Sequence, residues 1–123
     1  MKIALDVLSG DFAPMSNIEG AMTYLNSYGK SAADLILVGD KNTITSALQA
    51  FTYDNTKVHI LHTTEIVGMH EKPSQILKKK PNSSLVKAIQ LVKDNKANAV
   101  VSSGNTGALL ASSLFLIGKI PGI

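Results

Sequence analysis

Apolar and polar positions alternate along this chain in two different periods, and the switching between them predicts an α/β fold. Lys2 to Val7 (KIALDV) is a compact apolar run, as expected of a buried strand. After the loop LSGDFAPM, apolar positions recur at Ile18, Ala21, Met22 and Leu25, the spacing of one helix face. Ser16 and Glu19 are placed as a capping box for that helix, and Gly29 stands where a C-terminal cap belongs. Asp34 to Val38 (DLILV) predicts a second strand ended by Gly39-Asp40, Thr43 to Ala50 a short helix, and Val58 to His62 a third strand. Thr63 to Pro73 reads as a long loop, and Ser74 to Lys80 as a helical turn stopped by Pro81. Ser83 or Asn82 then caps a helix whose apolar face is Leu85, Ala88, Ile89 and Val92. Ala99 to Val101 is a fourth strand, and Leu109, Leu110, Leu114 and Ile117 mark a last helix. Strands alternating with helices predict a mainly parallel sheet of at least four strands, covered on both faces.

Composition narrows the class. At 123 residues and 45% apolar content the chain is long enough for one packed domain. It has no cysteine, which excludes disulfides and thiolate metal sites. His59 and His62 fall on opposite faces of an alternating strand, so no metal site is expected there. No apolar run approaches the roughly 18 residues that span a bilayer, and the expectation is a soluble, cytoplasmic protein. All twelve basic residues are lysines, giving a net charge of +3 without a single bidentate arginine fork. Lys72, Lys78, Lys79 and Lys80 crowd into nine positions. Such a run is ordinarily a solvated face, and with no aromatic residue interleaved it does not point to nucleic acid.

The chemistry concentrates in SSGNTGA, Ser102 to Ala108, between the fourth strand and the last helix. A strand that turns into a helix through small residues leaves backbone N–H groups unpaired at the positive end of the helix dipole, where an anion can bind. Gly104 and Gly107 permit close approach, while Ser102, Ser103, Asn105 and Thr106 add side-chain hydrogen-bonding groups. An ordinary capped β-to-α turn fits the same residues. In open parallel sheets, ligands bind beyond the carboxyl ends of the strands. The loops Leu8 to Met15 and Ser102 to Gly107, and the end of the long loop at Pro73, all belong to that edge. Asp6 and Asp11, the lysine cluster and the glycine loop are therefore expected to converge if the strand order allows it.

Three blocks then carry a specific resemblance. LDVLSGDFAP, Leu5 to Pro14, resembles the LDAMGGDxAP signature of bacterial phosphate acyltransferases of phospholipid synthesis. KPSQILKKKPNSS, Lys72 to Ser84, is similar to that family's basic stretch ending in paired serines, and VSSGNTGALLASSLFLIGKIPGI resembles its SAGNTGALM segment with the following helix. The resemblance implies a three-layer αβα fold like that of phosphotransacetylases and of isocitrate and isopropylmalate dehydrogenases. It also implies transfer of a fatty acyl group from acyl-acyl carrier protein to inorganic phosphate, with no cofactor. The acyl phosphate would pass to a membrane glycerol-3-phosphate acyltransferase, and the enzyme would be a homodimer with peripheral membrane association.

On this resemblance Asp6, Asp11, Lys78 and Asn105 are the catalytic candidates. Gly10, Ser83, Ser84, Ser102, Ser103, Gly104, Thr106 and Gly107 are candidates for holding phosphate or substrate, and Lys78, Lys79 and Lys80 for docking the acidic carrier protein. Ser83 and Ser84 also fit as helix caps, and Asp6 as a plain strand-end aspartate. Three departures from the family pattern stand out: Ser9 replaces a glycine, Ser103 an alanine, and Lys78 with Lys79 the favoured arginines. Family members are longer, and the chain stops just before their RPAL segment. It reads as a single αβα N-terminal portion, 1–123, of a two-lobed enzyme, and by itself is expected to be inactive. A non-catalytic fragment and a phosphotransacetylase-type enzyme using acyl-coenzyme A are the alternatives. A nucleotide-dependent dehydrogenase is disfavoured because no GxGxxG follows the first strand.

Overall fold

A computed structural model of the chain describes residues 1–122. Four strands, β1 (Lys2–Asp6), β2 (Asp34–Gly39), β3 (Val58–His62) and β4 (Ala99–Ser102), form one sheet in the order β3-β2-β1-β4. Every pairing is parallel, as the alternating pattern predicts. The helices are α1 (Met15–Tyr28), α2 (Lys41–Leu48), the single turn α3 (Ile76–Lys79), α4 (Ser84–Lys93) and α5 (Thr106–Leu116).

Because successive strand residues point to opposite faces, each strand feeds two cores. Leu35 and Leu37 of β2 pack with Val7 and with Ile18, Met22 and Leu25 of α1 and Ile44 and Leu48 of α2. Ala4, Ile36 and Val38 pack on the other side with Ala88 of α4 and Ala97. A third cluster joins Val67, Ile76, Leu85, Val86, Ile89 and Ala108, so the end of the long loop and α3 are clamped between α4 and α5. The layers are therefore α, β, α.

Several local details differ from the sequence-based expectation. Pro14, not Ser16, occupies the N-cap of α1, and no side chain caps it. Instead Asn17 turns back and donates to the carbonyls of Val7 (3.1 Å) and Ser9 (2.8 Å), tying the helix start to the loop after β1. At the other end Gly29 caps as expected, with φ 53° and its N–H on the Leu25 carbonyl. Helix α2 starts earlier than Thr43 because Asp40 caps it, accepting from the Thr43 N–H. Of the two candidates, Ser83 rather than Asn82 caps α4, accepting from Val86 N–H at 3.3 Å. On α5 Leu110, Leu114 and Phe115 are exposed, as is Ile117 just past its end, whereas Ala108 and Ser112 are buried and Leu109 and Leu116 half-buried. An almost wholly apolar helix has no face that periodicity can single out.

The strand order is what positions a site. From β1 the chain steps outward to β2 and β3, then crosses back to lay β4 on the other side of β1. The direction reverses between β1 and β4, which makes their carboxyl ends the topological switch point.

Candidate functional site

Asp6 ends β1 opposite Ser102 at the end of β4. It is completely buried. One carboxylate oxygen accepts from the Leu8 N–H at 3.2 Å. The other accepts from the hydroxyls of Ser9 (2.5 Å) and Ser102 (2.9 Å). Ser102 Oγ accepts in turn from the Gly104 N–H at 3.2 Å. A chain of hydrogen bonds thus runs from the first loop through Asp6 into the turn before α5. The carboxylate is spent on orienting these two loops, and among the described residues no lysine pairs with it.

The glycines are where the loops meet most tightly. A Cβ at Gly104 would come within 2.5 Å of Ser9 Cβ, and one at Gly10 within 3.2 Å of Ser103 Cβ. Gly10 also has φ 109°, a conformation that L side chains rarely adopt. Ser9, the departure from the family signature, therefore fits its site because residue 104 has no side chain. Its hydroxyl supplies a donor to Asp6 that glycine lacks.

Asn105 caps α5, its side-chain oxygen accepting from Ala108 N–H at 3.0 Å. Its amide nitrogen donates toward three carbonyls of the long loop: Gly68 (3.2 Å), Met69 (3.3 Å) and Glu71 (3.0 Å). The side chain is buried and fully engaged by its own protein. The N–H groups of Thr106 and Gly107 have no partner among the described residues, and these are the donors left for an anion at the first turn. Pro73 closes one side, since a Cβ at Gly107 would lie 2.7 Å from Pro73 Cγ.

Other candidate residues are put to different uses. Ser83 and Ser84 are wholly buried, so neither faces a ligand. Ser83 caps α4, while the Ser84 N–H donates to the Glu65 carbonyl and its hydroxyl has no partner among the described residues. Lys80 is not a free docking cation. Its ammonium sits 2.7 Å from Glu71 Oε2 and donates to the Ile66 carbonyl at 2.6 Å. Glu71 also accepts from the Gly68 N–H, and the lysine hydrogen bond is the main cause holding its carboxyl below the ordinary value of 4.5. Lys78, Lys79, Asp11 and Thr106 are exposed, and Ser103 makes only a long contact to Asn17, at 3.4 Å. Pattern reading missed Asn17, Glu71 and the role of Ser9; the last was signalled only by its departure from the motif.

The arrangement defines a class first: an open parallel α/β domain whose switch point joins the loop after β1 to the turn before α5 through a buried carboxylate. A family model described as "Fatty acid synthesis protein" matches residues 1–123, and the chain belongs to that family. It is 46% identical over its whole length to a phosphate acyltransferase of Clostridioides difficile, of which it covers 35%. It is 44% identical to that of Dictyoglomus turgidum, covering 36%, and 40% identical to that of Leptospira biflexa, covering 35%. The chain thus spans about a third of the length of these relatives.

Proposed function

We propose that this chain supplies the phosphate-holding portion of an acyltransferase that moves a fatty acyl group from acyl-acyl carrier protein to inorganic phosphate. The observation that carries the proposal is the convergence of the loops after β1 and β4 beside the unpaired N–H groups of Thr106 and Gly107. That the relatives are phosphate acyltransferases supports the same reading. Residues 1–123 would be one αβα portion of a longer two-lobed enzyme, which acts as a homodimer in the cytoplasm and at the membrane surface. A membrane glycerol-3-phosphate acyltransferase would consume its product.

Phosphate is already a competent nucleophile at neutral pH, so the protein's work is positioning and charge stabilisation. A phosphate oxygen attacks the thioester carbon, the new C–O bond forms, and the C–S bond breaks. The carrier leaves as its free thiol after taking up the proton released by hydrogen phosphate. In this scheme the start of α5 holds the phosphate, with the helix dipole favouring its charge. Asp6 orients the two loops without facing the anion. Lys78 and Lys79, exposed on α3, attract the acidic carrier.

The test is phosphate-dependent release of free carrier protein from acyl-acyl carrier protein, measured on the natural gene product that contains this chain. Turnover supports the reading. A folded product that is inactive with this donor but active with acyl-coenzyme A overturns it in favour of a phosphotransacetylase-type enzyme. Inactivity with both leaves a non-catalytic binding role.

A further inference from the structure

Ser9 is buried and is held through both its backbone and its side chain. Its carbonyl accepts from the Asn17 amide at 2.8 Å, and its hydroxyl donates to Asp6 Oδ2 at 2.5 Å. The same carboxylate oxygen accepts from Ser102 Oγ at 2.9 Å, so one atom binds a hydroxyl from each of two loops far apart in sequence. Ser102 Oγ accepts in turn from the Gly104 N–H. A second contact is steric. A Cβ at Gly104 would stand 2.5 Å from Ser9 Cβ and 2.9 Å from its Oγ, whereas the next atom, Ser102 Oγ, would be at 3.4 Å, an ordinary van der Waals distance. Gly104 is not among the glycines with positive φ, so its own backbone accepts alanine. It is Ser9 that keeps residue 104 without a side chain.

We propose that Ser9 is a positioning residue with two separable tasks. Its Cβ fills the contact with Gly104, so that side-chain bulk there can come from residue 9 or from residue 104 but not from both. Its hydroxyl makes Asp6 the shared acceptor of the loop after β1 and the turn before α5, and so sets the placement of one against the other. Close-packed contacts of this kind have no slack to absorb an added methyl, and a buried carboxylate has no substitute for a lost donor. Packing and placement follow from geometry alone, whereas the effect on turnover rests on the acyl-transfer reading above.

The experiment uses the natural gene product that contains this chain. Gly104→Ala is expected to lower the folding equilibrium constant about tenfold or more, but by less than about twofold when Ser9→Gly is already present. Equal losses in both backgrounds overturn the packing task. If Gly104→Ala does not fold at all, the doubly substituted product decides: folded, it supports the shared contact, and unfolded beside a folded Ser9→Gly, it overturns it. Ser9→Ala keeps the Cβ and deletes the donor. Amide exchange at Gly104 is then expected to quicken about tenfold while Ala108, held by Asn105, keeps its protection. The kcat for phosphate-dependent release of carrier protein is expected to fall about tenfold, with KM for the acylated carrier within about twofold of native. Native exchange at Gly104, equal acceleration at Gly104 and Ala108, or an unchanged kcat overturns the positioning task. A native product without turnover refutes the acyl-transfer reading instead, and the exchange pattern then decides on Ser9 by itself.

Discussion

Asp6 is a fully buried carboxylate whose partners are two hydroxyls and one backbone N–H. Such a group is stable only while all its donors are in place, because hydrogen bonds to a buried charge offset a large desolvation cost. Asp6→Ala strands the hydroxyls of Ser9 and Ser102 and the Leu8 N–H, and is expected to lower stability by about 3 kcal/mol. Asp6→Asn keeps the volume and one acceptor and should cost less; urea denaturation of both variants measures the difference. Little of this was legible in the sequence. Asp6 reads equally well as a strand-end residue, since its decisive partner Ser102 lies 96 positions away. Asn105 shows the same limit: its capping role follows from local spacing, but its grip on the 68–71 loop is a product of topology.

At the scale of elements, local signals worked where the decision is local. The apolar runs of β1 and β2, the Gly29 cap and the Pro81 stop all involve neighbours in sequence. Ser16 misled because Asn17 binds the loop after β1, a tertiary contact that moves the helix start onto Pro14. The segment from Glu65 to Lys80 carries a pH-sensitive contact. The Glu71 carboxyl is held below its ordinary 4.5 first by the Lys80 hydrogen bond and then by the Gly68 N–H. A carboxylate with a lowered folded value adds stability above its unfolded value and loses it as pH falls through the folded one. Amide protection of Gly68 should therefore hold above pH 4.5 and decline below it, with Glu71→Gln removing the dependence. In α3 the exposed pair Lys78 and Lys79 differs from the engaged Lys80. Replacing Lys78 and Lys79 by alanine in the natural gene product should weaken apparent affinity for carrier protein in dilute buffer. That loss should shrink at high salt, where exposed charges are screened.

For the molecule as a whole, apolar surface is unevenly distributed. Phe115 is 79% exposed, Leu110 61% and Val101 49%, the last on the edge strand β4. Exposed large apolar side chains of this kind bind apolar probes. The 123-residue chain is expected to enhance the fluorescence of an anilinonaphthalene sulfonate dye, and Leu110→Lys with Phe115→Lys should reduce the signal without altering the melting temperature by more than about 4 °C. Among the described residues no helix is long and apolar enough to cross a membrane.

The strand order also sets a clock. β1 is made first and β4 last, yet they are neighbours, and the hydroxyl of Ser102 meets Asp6 across 96 positions. At roughly 5 to 20 residues per second of synthesis, the carboxylate waits on the order of 5 to 20 s before its second hydroxyl partner exists. A nascent chain paused before Ala99 can pair β1, β2 and β3 but leaves one flank of β1 open to any passing strand. Ribosome-bound chains from which β1, β2 and β3 have emerged should thus associate with a chaperone more than chains from which Ala99–Ser102 has emerged as well.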